Sequence, residues 1–187
     1  MTRLLDDHVL DGLTRALHTA GVAGTEKWAP GLSDAEIDAL LKPHGLDLPE
    51  EARRWWRWHN GYVEGTGPTG WVGVTPNRPL LTLEEVLDLY AKTKDGDRQV
   101  WGADRWLMVF VDVPSIFFDC SGPRDAPVPI RTQQDIDTPE PVLASIGEMI
   151  ALWTELIDTG VYTTDANGEW EWDFERIPQD VRRLGVY

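Results

Sequence analysis

The sequence predicts an α+β fold, with a central mixed or antiparallel sheet flanked by N-terminal and C-terminal helices. Three observations lead to this fold class. Helical periodicity fills the first third of the chain, short β-type segments cluster in the middle, and a long helix follows them. Helices and strands that are segregated along the chain are typical of α+β folds, not of doubly wound sheets. The chain has 187 residues and no linker-like segment, so we expect a single domain, 1–187.

Three helices are predicted in the first sixty residues. Apolar residues recur on one face of the first helix, at Leu5, Val9, Leu13, Ala16, Leu17 and Ala20. Gly21 ends that helix, and the segment 25–32 is expected to be a loop. Ser33 and Glu36 form a capping box that begins the second helix, and Pro43 closes it. The third helix begins at Pro49, because proline is tolerated in the first turn.

The third helix is unusually rich in tryptophan, since residues 48–62 read LPEEARRWWRWHNGY. At 100° per residue, one face is apolar and the opposite face is basic. The apolar face holds Ala52, Trp55, Trp56 and His59, and the basic face holds Arg53, Arg54 and Arg57. We therefore predict a core helix in preference to an exposed aromatic platform. His59 is expected to cap the helix end as a partly positive imidazole, and Asn60 and Gly61 are expected to stop the helix.

Two further helices carry clear N-terminal signals. Thr82 and Glu85 predict a cap for a fourth helix, and Ser145 and Glu148 predict a cap for a fifth, which ends near Gly160. The inward face of the fifth helix is expected to hold Ile146, Met149, Ile150, Trp153, Leu156 and Ile157.

The predicted strands are short and separated by turn residues. They are Trp71–Thr75, a hairpin of Trp106–Val113 and Ile116–Asp119, a strand at Val128–Arg131, and a second hairpin within Tyr162–Phe174. The second hairpin is predicted by its Asn167-Gly168 pair, which is a strong local turn signal.

The charge is strongly acidic and unevenly distributed. The formal net charge is −15, and residues 95–187 carry 18 Asp and Glu against 7 Lys and Arg. No Lys, Arg or His occurs between Arg131 and Arg176. Such a surface repels nucleic acid, because phosphate binding needs clustered cations. A basic partner would be attracted to it.

The composition also bears on the compartment. The single cysteine, Cys120, allows neither an intrachain disulfide nor a Cys-based zinc site. The N-terminus is amphipathic and no apolar run approaches the length of a membrane span. We expect a cytoplasmic protein.

Motifs that could support catalysis or cofactor binding fail in context. Gly65–Gly70 matches G-x-G-x-x-G, but a helix precedes it and a strand follows, which is the reverse of a dinucleotide site. Asp165–Glu169 resembles the middle of an EF-hand loop but lacks the first acid and the twelfth-position glutamate. The four histidines show no metal-ligand spacing, and Cys120 is expected to be a buried apolar residue. The sequence therefore predicts no metal, no cofactor and no enzyme activity.

An ordered set of short motifs resembles the SUKH superfamily, the group of the Smi/Knr-like proteins. The motifs are Trp28-x-Pro30-Gly31-x-Ser33, Leu48-Pro49, an aromatic helix ending in Asn60-Gly61, Leu80–Glu85, a strand pair within Trp106–Asp119, and a Ser145-led helix ending near Gly160. The resemblance covers a core of about 28–160 and leaves a C-terminal hairpin and tail, 161–187. It implies an α+β fold and, for bacterial members, an immunity protein that binds and neutralises a toxin, often a nuclease or deaminase. It implies no catalytic residues.

The charge pattern suggests where such a toxin would bind. Nuclease domains carry basic grooves, which an acidic protein can occupy. We expect partner contacts from two acidic clusters, Asp135, Asp137 and Glu140 in one, and Asp165, Glu169, Glu171 and Asp173 in the other. On the final strand, Trp170, Trp172 and Phe174 should pack inward while the acids face outward. Two alternatives remain: the acidity serves only solubility, or the protein is a regulatory scaffold of the same fold.

Overall fold

A computed structural model of the protein describes residues 2–63, 73–94, 105–134 and 138–187. The helices there are α1 (Asp7–Ala20), α2 (Asp34–Leu41), α3 (Glu50–Trp58), α4 (Leu83–Lys94), α5 (Ile146–Asp158) and α6 (Gln179–Leu184). Short 3-10 helices span Thr25–Lys27, Lys42–His44 and Phe174–Arg176. The strands are β1 (Trp28–Pro30), β2 (His59–Tyr62), β3 (Trp106–Phe110), β4 (Ser115–Asp119), β5 (Ile130–Gln133), β6 (Glu140–Leu143), β7 (Tyr162–Thr164) and β8 (Trp170–Trp172).

The strands form three antiparallel sheets, which confirms the α+β class. The central sheet has four strands in the order β3-β4-β5-β6, while β1 pairs with β2 and β7 pairs with β8. α1 packs on α5, and α4 packs on β3. One cluster of buried apolar residues extends from Leu5 to Val186. Among the described residues, no helix combines the length and the apolar character that crossing a membrane requires.

The predicted helix caps are confirmed. The Ser33 and Glu36 side chains form a reciprocal capping box with the backbone at the start of α2. Thr82 and Glu85 do the same for α4, and the Ser145 hydroxyl accepts a hydrogen bond from the Glu148 amide at the start of α5. These caps depend on residues three apart in the chain, so the sequence alone suffices to find them.

The tryptophan helix confirms the predicted core face but not the basic face. Trp55 and Trp56 are buried, as expected. Arg53 is also buried, which corrects the prediction that it points away from the core. Its guanidinium pairs with the carboxylates of three acids that α2 and the following loop bring to it, namely Asp34, Asp38 and Asp47.

The end of the tryptophan helix differs from the prediction. α3 ends at Trp58, and the expected stop residues Asn60 and Gly61 lie inside β2 instead. His59 is the C-cap residue of α3, as expected, and its backbone N–H donates to the Trp55 carbonyl, but its surroundings disfavour the expected positive charge. Its Nδ1 lies 2.9 Å from the Ala29 carbonyl, its ring contacts Trp28 and Trp58, and burial lowers the pKa of His59.

We expect His59 to make folding stability depend on pH near neutrality. Because the pKa of His59 is lower in the folded than in the unfolded protein, the unfolded chain binds the proton more readily. The stabilising effect is therefore present above the ordinary histidine pKa, about 6.5, and is lost as pH falls below it. Denaturant melts at pH 7.5 and 5.5 should show a smaller loss in His59→Gln than in the wild type. Equal losses in the two proteins would contradict this assignment.

The strand predictions are confirmed in part. The hairpin of β3 and β4 is present, and the strand expected at Val128–Arg131 is β5, displaced by two residues. Residues 73–75 form bends and not the predicted strand, while Trp71 and Val72 lie outside the described residues. β1 lies in a segment expected to be a loop, and β6 was not predicted, because Pro139 and Pro141 interrupt its pattern. Proline is tolerated in β6 because that strand is at the edge of the sheet.

Candidate protein-binding surface

The C-terminal hairpin of β7 and β8 carries most of the predicted contact residues. The side chain of Asp165 organises its turn, since one carboxylate oxygen accepts the backbone N–H groups of Asn167 and Glu169 at 2.8 and 2.9 Å. Gly168 adopts a left-handed conformation, and its carbonyl accepts a hydrogen bond from the Ala23 amide just after α1. The predicted hairpin is therefore confirmed, and it is anchored to the end of α1.

Two of the four predicted hairpin acids have local structural roles. The hydrogen bond from the Glu169 amide is the main reason that the pKa of Asp165 is lowered. The Asp173 carboxylate accepts the Glu175 amide at 2.9 Å and so caps the 3-10 helix that follows β8. Both carboxylates are thus already engaged with backbone groups.

Glu169 and Glu171 are the hairpin acids that remain available to a partner. Both side chains are exposed, and neither forms an ion pair with any residue that the structure describes. Glu171 lies opposite Thr163 in the ladder, where the Thr163 hydroxyl bonds to the Glu171 carbonyl and leaves the carboxylate free. Both carboxylates therefore present to solvent a negative charge that no cation of the described segments pairs with.

Of the three aromatic residues predicted to face inward, only Trp170 is buried. Trp170 is buried against Tyr162, and its indole N–H donates to the Gly73 carbonyl at 3.0 Å. Trp172 and Phe174, which were also expected to pack inward, are 39% and 46% exposed. The strand alternation ends at Trp172 because the chain turns into the 3-10 helix at Phe174.

Trp172 and Phe174 belong to a surface group that the sequence did not predict. The Tyr187 ring lies 6.4 Å from Trp172 and 5.5 Å from Phe174, measured between ring centroids. The Arg182 guanidinium lies 5.1 Å from the centre of the Phe174 ring. We call Trp172, Phe174 and Tyr187 the aromatic cluster. Its members come from β8, the 3-10 helix and residue 187, so no local sequence pattern could have joined them.

The other predicted acidic cluster is described only at Glu140. Asp135 and Asp137 lie outside the described residues. Glu140 is exposed at the start of β6 and lines a groove together with Arg183 of α6. Residues 132–175 contain no Lys or Arg, but the fold places Arg183 beside Glu140, because α6 lies against the central sheet.

The described residues offer little acid–base or metal chemistry. Cys120 is buried, and burial raises the pKa of its thiol well above the usual range. Within the described ranges, no group of three or more His, Cys, Asp or Glu side chains is placed to hold a metal ion. The Gly65–Gly70 motif lies outside them.

Comparison of the chain with protein-family models found no match, and comparison with curated proteins found none either. The resemblance to the SUKH superfamily stays a prediction from its motifs.

Proposed function

We propose that the protein is a non-catalytic immunity protein that binds and neutralises a basic protein toxin. The observation that supports this proposal best is the C-terminal hairpin segment, which exposes the rings of Trp172 and Phe174 and, on the same short stretch of chain, the carboxylates of Glu169 and Glu171. Protein interfaces are enriched in large aromatic side chains at their centre and have polar rims. A segment that exposes two large rings and two carboxylates has that composition.

The net negative charge favours a basic partner. The net charge of −15 attracts basic domains and accelerates their encounter, whereas it repels nucleic acid and anionic membranes. A toxin domain that acts on nucleic acid must itself carry a basic surface. An acidic protein with aromatic anchors can cover such a surface and block access to its substrate.

Co-expression tests this function directly. The C-terminal domain of the protein encoded next to this one should be toxic when expressed alone in a bacterial host. Co-expression of this protein should restore growth, while the Trp172→Ala/Phe174→Ala variant should restore it less. Persistent toxicity with wild-type protein would contradict the immunity function. A basic neighbour that binds but is harmless alone would favour a regulatory scaffold instead.

We predict that the hairpin acids set the association rate. Reversing Glu169 and Glu171 to Lys should slow association with the partner about tenfold at low salt, because steering by charge changes on-rates by about 10–1,000-fold. The difference should shrink above roughly 0.15 M salt, where the screening length is about 8 Å. Stopped-flow association rates measure this effect. Asp173 is left unchanged because it caps the 3-10 helix.

A matched variant distinguishes the effect of the hairpin charges on the association rate from the effect of the net charge. Asp11→Lys/Asp88→Lys changes the net charge by the same amount at two exposed sites on α1 and α4. It should slow association less than the hairpin variant. Equal slowing in both variants would show that the hairpin has no special role.

A further inference from the structure

The exposed apolar side chains are concentrated on two segments of the protein. The large apolar side chains that are exposed in the described part of the chain are Leu4, Val63, Val111, Val113, Trp172 and Phe174. Two of them belong to the aromatic cluster. Two others, Val111 and Val113, are 53% and 78% exposed and lie in the turn 111–114 between β3 and β4.

A buried arginine places that turn beside the aromatic cluster. Arg78 donates from Nη1 to the Pro114 carbonyl at 2.9 Å and from Nη2 to the backbone oxygen of Tyr187 at 3.1 Å. Gly185 lies against the Pro114 ring, since a Cβ on Gly185 would come within 3.0 Å of it. The turn and residues 185–187 are therefore in direct contact. The Tyr187 ring in turn contacts the rings of Trp172 and Phe174.

We infer that the turn 111–114 is a second part of the binding surface and packs against an apolar side chain of a basic partner. This inference rests on the proposed function and defines the partner more narrowly. The Val113 side chain is 78% exposed and gains from being covered. Because its turn contacts residues 185–187, and Tyr187 contacts the other two rings of the aromatic cluster, one partner can reach both. The partner should present apolar and basic residues in alternation.

Charge complementarity favours a basic partner over other occupants. Asp112 is exposed between the two valines, and Glu169 and Glu171 are exposed on the hairpin. A second copy of this chain also carries a net charge of −15 and would be repelled, and an anionic membrane would be repelled in the same way. Among the described residues, two cations contact the aromatic cluster. Arg182 lies over the Phe174 ring, and the buried Arg78 donates to the backbone oxygen of Tyr187.

Two synthetic peptides of equal length and charge test the inference. One alternates Lys and Leu, and the other alternates Lys and Ser. The wild type should bind the Lys–Leu peptide more tightly at low salt in titration calorimetry. Val113→Ser should weaken that binding about tenfold, since burying a valine is worth about a factor of ten or more in affinity. Binding of the Lys–Ser peptide should not change.

Leu4→Ser is the matched control. Leu4 is 45% exposed and lies near the start of α5, whereas the hairpin follows the end of that helix. This control should bind both peptides like the wild type. A melting temperature for each variant checks folding, and Val113→Thr, which keeps the branched shape, replaces Val113→Ser if the latter is destabilised.

The outcomes separate this inference from the proposed function. If Val113→Ser keeps full affinity for the Lys–Leu peptide while Trp172→Ala loses it, the turn is not part of the surface and the inference is overturned, but the proposed function stands. If the wild type binds neither peptide at low salt, the proposed function and this inference both fail, because each requires a basic partner. If it binds both peptides equally, the apolar part of the inference is overturned.

Discussion

Replacing Glu51 by alanine should lower the free energy of unfolding by about 3 kcal/mol or more, because each buried backbone group left without a partner costs about 1–3 kcal/mol. The Glu51 carboxylate is buried and accepts three backbone N–H groups. One oxygen accepts Leu5 at 2.7 Å and Gly147 at 2.9 Å, and the other accepts Val128 at 2.7 Å. A single side chain thus joins the entrance to α1, the first turn of α5 and the approach to β5.

Urea denaturation measures this loss, and two variants serve as comparisons. Glu51→Gln keeps one acceptor oxygen and should lose less than Glu51→Ala. Glu50→Ala is the matched control, since the neighbouring Glu50 is partly exposed and pairs with Arg54 and Arg57 at the surface. Such surface pairs contribute about 0–1 kcal/mol. Similar losses for Glu50→Ala and Glu51→Ala would contradict the role assigned to Glu51.

Replacing Trp56 by alanine should be comparably destabilising, at about 3–5 kcal/mol for truncation of a buried aromatic side chain. Trp56 is completely buried and packs edge-on against Phe118 of β4 at 6.1 Å. The loss would be a large share of a typical stability of about 5–15 kcal/mol. The tryptophan helix is thereby tied to the central sheet.

Trp58 provides the comparison on the same helix. It is only partly buried and contacts Trp28, Trp55 and His59 on the flank of α3, so Trp58→Ala should cost clearly less. Thermal melting and partner binding should be measured together. A Trp56→Ala protein that melts like the wild type but no longer binds its partner would show that α3 is a binding platform and not a core helix.

Features that depend on neighbouring residues could be predicted from the sequence. The caps at Ser33, Thr82 and Ser145 and the turn at Asn167-Gly168 are set by residues within a few positions of each other. The burial of Trp55 and Trp56 follows from helical periodicity. The exposure of Glu169 and Glu171 follows from strand alternation.

Features that depend on contacts between distant segments could not be predicted from the sequence. Helical periodicity placed Arg53 on the polar face, but Asp34, Asp38 and Asp47 surround it, so that it is buried with its charge paired. Periodicity describes a helix alone and carries no information about which acids other segments will supply. His59 differs for the same reason, because β1 provides the Ala29 carbonyl that its ring contacts.

The proposed binding surface shows the same division between local and distant features. Alternation correctly placed the acids outward and Trp170 inward. It failed at Trp172 and Phe174, because the strand ends there and Asp173 begins a new element. The contact of both rings with Tyr187 joins segments that are distant in the chain. The hydrogen bonds from Arg78 to Pro114 and Tyr187 likewise connect segments more than 30 residues apart.

Hydrogen exchange on the complex with the basic partner tests the binding surface most directly. The amides of Tyr162–Phe174 and of residues 111–113 should exchange more slowly when the partner is bound. Amides of α2 and α3 should be unchanged. Slower exchange confined to α2 and α3, with the hairpin unaffected, would contradict the assignment of the binding surface to the acidic hairpin and the aromatic cluster.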